Sequence, residues 1–296
     1  MLNLLLIFLV SQATALASSR DEAKAVLRKF TKTHDLHARL EKISASFVGR
    51  PYDVSGPLGE GPDGRYDQDP LYRFDAFDCT TYVETMLSLA LARNVSGFET
   101  HMNTIRYENG VVDYLTRNHF TDLQWIPENI QNGYLREINE EIVDPSDLKV
   151  AEALTDQRGA FRAVKLPQIV VPGASVEERQ RLLEQLHAEA ERFSAVLTRV
   201  PYVAIAQILA GPEILDRVPT GTIVNFVRPN WDLTAQYGTR QNISHQGLLF
   251  RKRGVLYLRH ATPSTKKVDE IPFIEYLKPL ATHATLKGVH FMRINE

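Results

Sequence analysis

The sequence predicts an α+β fold. Helical patterns fill the first two thirds of the chain, strand patterns crowd behind Pro219, and a glycine- and proline-rich passage separates the early helices. Arg20 to Phe47 carries Ala25, Leu27, Phe30, Leu36, Leu40, Ile43 and Phe47 at helical spacing. Gly49 to Pro70 follows, punctuated by Pro51, Gly56, Pro57, Gly59, Gly61, Pro62 and Gly64, and is expected to be a shaped loop forming a cleft wall. Thr80 to Ala92 has apolar residues at Val83, Met86, Leu87, Ala90 and Leu91, one face of a helix, with Asp78 as its N-cap. Residues 104–126 alternate weakly and are rich in Tyr, Asn, His and Trp. Val176 to Leu197 is the strongest amphipathic pattern, laden with Glu and Arg, and is expected to be a solvated helix packed on one side. Strands are expected over Gly221–Val227, His245–Phe250, Val255–His260 and Val289–Ile294.

Composition sets the class. The chain has 296 residues, 44% hydrophobic and 24% charged, with a formal net charge of -2. That supports a well-formed core and excludes the basic face that nucleic acid or anionic lipid requires. Leu2 to Val10 is almost wholly apolar, and Ala15 and Ala17 supply the small residues of a cleavage site. Residues 1–17 are therefore expected to be a signal peptide. Residues 18–296 are expected to form a single domain, with a helical insertion at about 150–200, and no membrane partner after cleavage. The expected location is the periplasm, or outside the cell. No cofactor is expected, and no metal: one cysteine cannot make a structural zinc site, and no His-Glu-x-x-His motif occurs. The sequence sets no oligomeric state.

Two features carry chemistry. The single cysteine, Cys79, falls in the first turn of the helix that Asp78 caps. Unpaired N–H groups and the positive end of the helix dipole there favour a thiolate, so a lowered thiol pKa is expected. The second is a hairpin, Ser244-His245-Gln246-Gly247-Leu248-Leu249-Phe250 returning as Val255-Leu256-Tyr257-Leu258-Arg259-His260. A four-residue loop sets His245 opposite His260, while a two-residue turn at Arg253-Gly254 sets His260 opposite Gly247, diagonal to His245. Either register keeps both imidazoles on one face. One can take the thiol proton while the other fixes its tautomer and ring angle. Cysteine at a helix start, then histidine on a strand, then a polar residue on the next strand is the chain order of papain-like thiol hydrolases.

Asp78-Cys79-Thr80-Thr81-Tyr82-Val83, with Ser244-His245-Gln246-Gly247 and Arg259-His260-Ala261, resembles the NlpC-type cell-wall cysteine peptidases. Phe77 to Glu84, Tyr114 to Phe120, Val200-Pro201-Tyr202-Val203 and Gly288-Val289-His290-Phe291 look like one branch, the N-acetylmuramoyl-L-alanine amidase-like proteins. The resemblance runs from about Ala25 to the end. It implies a papain-like NlpC-type core, a helix-borne cysteine packed on an antiparallel sheet that carries the histidine. It implies peptidoglycan fragments (muropeptides) as partners. The bond cut would be the amide between N-acetylmuramic acid and L-alanine of the stem peptide. Carried over by motif, Cys79 is the nucleophile, His245 the base and His260 the orienting residue. Gln246 departs from the apolar residue common after the histidine in the wider group. A stem-peptide endopeptidase of the same fold, or a non-catalytic wall-binding relative, is the alternative. Such fragments offer carboxylates, N-acetyl groups and sugar faces, which suit Arg, Asn and aromatic side chains. Arg117 and Asn118 are the leading substrate-binding candidates, with Tyr114, His119, Trp125, Tyr72 and Tyr202 behind them.

Overall fold

The computed structural model describes residues 19–54 and 58–295. The expected signal peptide over 1–17 lies outside the described residues. Among those described, no helix is long and apolar enough to cross a membrane.

Four helices lead the chain: α1 (19–29), α2 (Leu36–Ala45), α3 (Cys79–Leu91) and α4 (Val95–Arg106). The long pattern from Arg20 to Phe47 is thus two helices, because Asp35 caps a new one with its carboxylate on the Ala38 N–H at 2.6 Å. α3 starts where the sequence placed it. Asp78 Oδ1 accepts the Thr81 N–H at 2.7 Å and Thr81 Oγ1 accepts the Asp78 N–H at 3.0 Å, a reciprocal cap that satisfies two otherwise unpaired groups. The sequence showed one apolar face, yet Tyr82 to Ala90 is buried throughout. The polar residues on the other side are accommodated internally. Thr85 and Ser88 return their hydroxyls to the carbonyls of Thr81 and Glu84, each at 2.7 Å. Glu84 accepts from Arg106 Nε at 2.8 Å and Trp125 Nε1 at 3.1 Å.

The sheet has eight strands: β1 (Leu135–Glu137), β2 (Lys149–Asp156), β3 (Ala195–Ala204), β4 (Thr222–Asp232), β5 (Arg240–Lys252), β6 (Val255–Thr262), β7 (Lys267–Pro272) and β8 (Gly288–Ile294). The order is β2-β3-β8-β4-β5-β6-β7, with β1 also on β8, and every pairing is antiparallel. α1 to α4 cover one face through Leu40, Val83, Leu87 and Phe98 against Ile223, Leu248, Phe250 and Met292. Short helices α7 (Ile205–Ala210) and α8 (Phe273–Leu277) cover the other, against Phe226, Leu258 and Phe291.

The stretch 150–200 is only partly helical. It holds α5 (Gln157–Ala163) and α6 (Val176–Ala190), but β2 and β3 enclose them and extend the main sheet. In β2 the alternation is carried by small residues, Ala151 and Ala153 inward against Val150, Glu152 and Leu154 outward, a weak signal in sequence. The amphipathic pattern that runs to Leu197 ends as helix at Ala190, and Ala195 onward is β3. α5 and α6 pack a separate small core with Tyr66 and Leu115, from Phe161, Val164, Leu183 and Leu186.

Candidate active site

Where α3 begins, the strands β5 and β6 part. Their last paired residues are Leu248 and Arg259, and the turn is the two-residue one, with Arg253 and Gly254 at φ of 50° and 85°. Continued inward, this register sets His260 against Gly247. A side chain on Gly247 would fall 2.6 Å from Leu258 and 3.1 Å from the His260 Cβ, so the absence of one lets His260 lie across the strand. His245 Nε2 and His260 Nδ1 are 2.6 Å apart. The His260 ring meets Tyr276 edge to face at 5.0 Å, and the His245 ring lies 5.4 Å from Phe226.

Cys79, His245 and Gln246 line one cavity of about 580 Å³. Its walls come from the α3 start, the Tyr114–Thr121 passage, α5 with the turn after it, and the β4–β5 connection. Among the described residues no hydrogen bond joins Cys79 Sγ to His245; the sulfur is approached by the backbone N–H groups of Gln246 and Thr80 and, at 3.9 Å, by the Thr80 hydroxyl.

The electrostatics reverse one expectation. The Cys79 thiol is pushed up to about 12, first by burial and then by the neighbouring Asp78 carboxylate, against the pull of the Gln246 and Thr80 groups. The residue that caps α3 also opposes a thiolate one position later. The helix start therefore holds a protonated thiol here, not the lowered one that its N–H groups alone suggest. Burial lowers His245 to about 4, with Arg228 adding to it, and lowers His260 to about 2, with His245 adding to it. Both rings are neutral, so one proton lies between Nε2 and Nδ1. If His245 donates it, His245 Nδ1 is the free acceptor.

The substrate-binding candidates divide. Tyr114 and His119 line the cavity. His119 Nε2 donates to the Tyr114 carbonyl at 2.9 Å, and burial lowers its pKa to about 3, so it presents a neutral ring. The other candidates stand away from the cavity. Trp125 is fully buried with its N–H on Glu84. Tyr72 packs on Phe98 at 4.9 Å and gives its hydroxyl to Glu99 at 2.8 Å. Tyr202 lies in the core against Gly288, where a Cβ would come within 2.0 Å of its ring. Asn118 Nδ2 donates to the Ile105 carbonyl at 3.2 Å. Arg117 donates to the Leu58 carbonyl at 2.5 Å and stands 3.7 Å from buried Glu60. Each satisfies a backbone or core partner, which explains polar and aromatic residues that had suggested a ligand.

In their place the cavity presents Trp231, Tyr237, Gln236, Gln241 and, from α5 and the turn after it, Phe161 and Lys165. Trp231 lies at the end of β4, opposite Gln241 of β5, and Tyr237 in the connection that follows; only an aromatic residue on either side of a polar turn could have flagged them. Tyr52 and Tyr276 complete the surroundings of the sulfur. Burial first, and then the nearby Cys79, push both phenols up to about 12, so they remain donors. Tyr52 belongs to the glycine- and proline-rich passage expected as a cleft wall, of which no described residue lines the cavity. Among the described residues no cluster of three or more His, Cys, Asp or Glu side chains could hold a metal ion.

A solved Legionella pneumophila protein of the family DUF1460 superposes with a TM-score of 0.91 at 31% identity, over 96% of this chain and 97% of its own. A Bacteroides uniformis N-acetylmuramoyl-L-alanine amidase superposes with a TM-score of 0.61 at 21% identity, over 88% of this chain and 99% of its own, a likeness of fold. Among curated proteins none matches. The AmiA-like model, described as N-acetylmuramoyl-L-alanine amidase-like, matches residues 42–283, a span that takes in Cys79, His245, His260 and strands β1 to β7. The chain belongs to the N-acetylmuramoyl-L-alanine amidase-like family.

Proposed function

We propose that this protein is an exported peptidoglycan hydrolase, a cysteine amidase that cuts the amide between N-acetylmuramic acid and the L-alanine of the stem peptide. The observation that carries it is the convergence on one cavity of the α3-borne Cys79 and His245, the latter held at 2.6 Å by His260. We read this as the papain-like NlpC-type arrangement. The family supports the amide class, and the aromatic, glutamine and lysine lining suits sugar faces, N-acetyl groups and peptide carboxylates.

In this reading His245 takes the thiol proton as sulfur attacks the lactyl carbonyl carbon. The transfer creates opposite charges that attract in a low-dielectric pocket, so thiolate and imidazolium form together on substrate arrival. His260 accepts the Nε2–H of His245, which leaves His245 Nδ1 as the nitrogen that takes the proton. The Cys79 N–H at the helix start stabilises the oxyanion. His245 then protonates the leaving L-alanine nitrogen, and the C–N bond breaks to leave a muramyl thioester. Water, deprotonated by His245, attacks the thioester, releases the muramic acid carboxylate and returns the proton to sulfur.

Mass spectrometry of a soluble N-acetylmuramyl-peptide incubated with the protein tests this. Free N-acetylmuramic acid and an intact L-alanine-led peptide are expected, and neither with Cys79→Ala. A shortened peptide, or product formation by Cys79→Ala, would overturn the assignment.

A further inference from the structure

Gln246, the departure noted in the sequence, stands in a row of polar side chains on an otherwise apolar sheet face. Neighbours on that face include Ile223, Val227, Leu248, Phe250 and Met292. Gln246 pairs with Asn225 on β4, and Asn225 pairs with His290 on β8. All three are buried to within 1% of full burial. Gln246 Nε2 donates to Asn225 Oδ1 at 2.8 Å, and Asn225 Nδ2 donates to His290 Nδ1 at 3.1 Å. The proton of the His290 ring is then on Nε2, which reaches Glu137 Oε1 on β1 at 3.0 Å. Every donor points the same way, from the cavity toward Glu137, whose side chain is 43% exposed. Such one-way chains polarise each member. The chain ends at the cavity, where the Gln246 backbone N–H approaches Cys79 Sγ and its side-chain Oε1 has no partner.

A polar row buried in an apolar face costs stability unless every link is made, and apolar side chains would pack these strands without it. We propose that Glu137, His290, Asn225 and Gln246 form a positioning ladder that fixes the β5 backbone at Gln246, beside Cys79 on the same cavity wall, and so keeps its N–H near Cys79 Sγ. The proposal rests on Cys79 being the nucleophile. The ladder acts through one N–H that favours the sulfur anion as it forms. Gln246 is a positioning residue, and Glu137 is the far end of the same device.

The test uses Gln246→Met, Glu137→Leu, Glu137→Gln and the double variant Gln246→Met/Glu137→Leu, read by kcat and KM on an N-acetylmuramyl-peptide and by the rate of Cys79 alkylation with iodoacetamide. A hydrogen bond to a charged group weakened by part of its value gives, in Gln246→Met, about a tenfold fall in kcat and alkylation rate with KM within about twofold. Glu137→Leu should lower both about threefold, and the double variant should fall no further than Gln246→Met, as members of one chain do. Glu137→Gln keeps an oxygen for His290 and should retain wild-type rates. Wild-type rates in Gln246→Met, or effects that multiply in the double variant, overturn the ladder. Should Gln246→Met not fold, equal rates for Glu137→Leu and Glu137→Gln overturn it instead. Absence of cleavage by the wild type would remove the amidase reading alone, because alkylation still reports on the ladder.

Discussion

Cys79 and Glu84 lie on the same helix, and their surroundings are opposites. Glu84 is completed by the protein: Arg106 and Trp125 donate to its two oxygens, and nothing of it faces a cavity. Cys79 is left incomplete. It borders the cavity, its neighbour Asp78 opposes its charge, and the histidine beside it keeps one ring nitrogen uncommitted. Glu84 is buried and Cys79 half-buried, and both sites contain charge-bearing groups. The difference lies in whether a partner is already present or is left for a substrate to supply.

Exchanging the two residues' fates gives the largest contrast. Cys79→Ala should lower amidase activity by more than about a thousandfold, the loss expected for a missing nucleophile, and leave the thermal midpoint almost unchanged. Glu84→Ala should do the reverse. It strands the buried Arg106 guanidinium and should cost about 3–5 kcal/mol of stability, with the remaining folded protein active per molecule. Denaturation curves beside rate measurements check both. A stable Glu84→Ala or an active Cys79→Ala would erase the distinction.

A smaller effect sharpens it within the site. His260→Ala removes the partner of the His245 Nε2–H and should lower kcat about a hundredfold with KM little changed, whereas His260→Gln restores an acceptor and should recover about a tenth of wild-type activity. Steady-state kinetics decide; equal losses in the two variants would show that His260 does not orient the ring.

The smallest effect is on stability with pH. His245, His260 and His119 have pKa values lowered to about 4, about 2 and about 3 by burial, while an unfolded imidazole titrates near about 6.5. Below about pH 6.5 these three positions bind more protons in the unfolded chain than in the folded one, so their contribution to stability declines as the pH falls toward 4. Glu60 and Asp67, whose carboxyls burial pushes up to about 7 and about 6, act in the opposite sense over the same range. The readout is therefore the difference between His119→Gln and the wild type: from about pH 7 to about pH 5 the thermal midpoint of the variant should fall less than that of the wild type. Equal changes in the two proteins would contradict a neutral His119 ring.

Local chemistry alone determined a good deal. The α3 start is legible because an Asp one residue before a helical pattern can cap it whatever surrounds it. The placing of His245 and His260 on one face is legible because opposed strand residues share a face in either register weighed, and the Arg253-Gly254 turn chose between them. The α+β class follows from the order of the patterns. Tertiary structure decided the rest, because burial and partnership belong to the whole fold. The sequence of Trp125, Tyr72 or Arg117 is the same whether the side chain meets a sugar or a core carboxylate. β2 was hidden because Ala151 and Ala153 alternate with too little contrast to mark a strand. The Cys79 thiol was expected low from its N–H groups, which are local, and is raised by desolvation, which depends on everything packed around it. The polar row from Glu137 to Gln246 joins four separate strands, and no spacing in a single chain announces it.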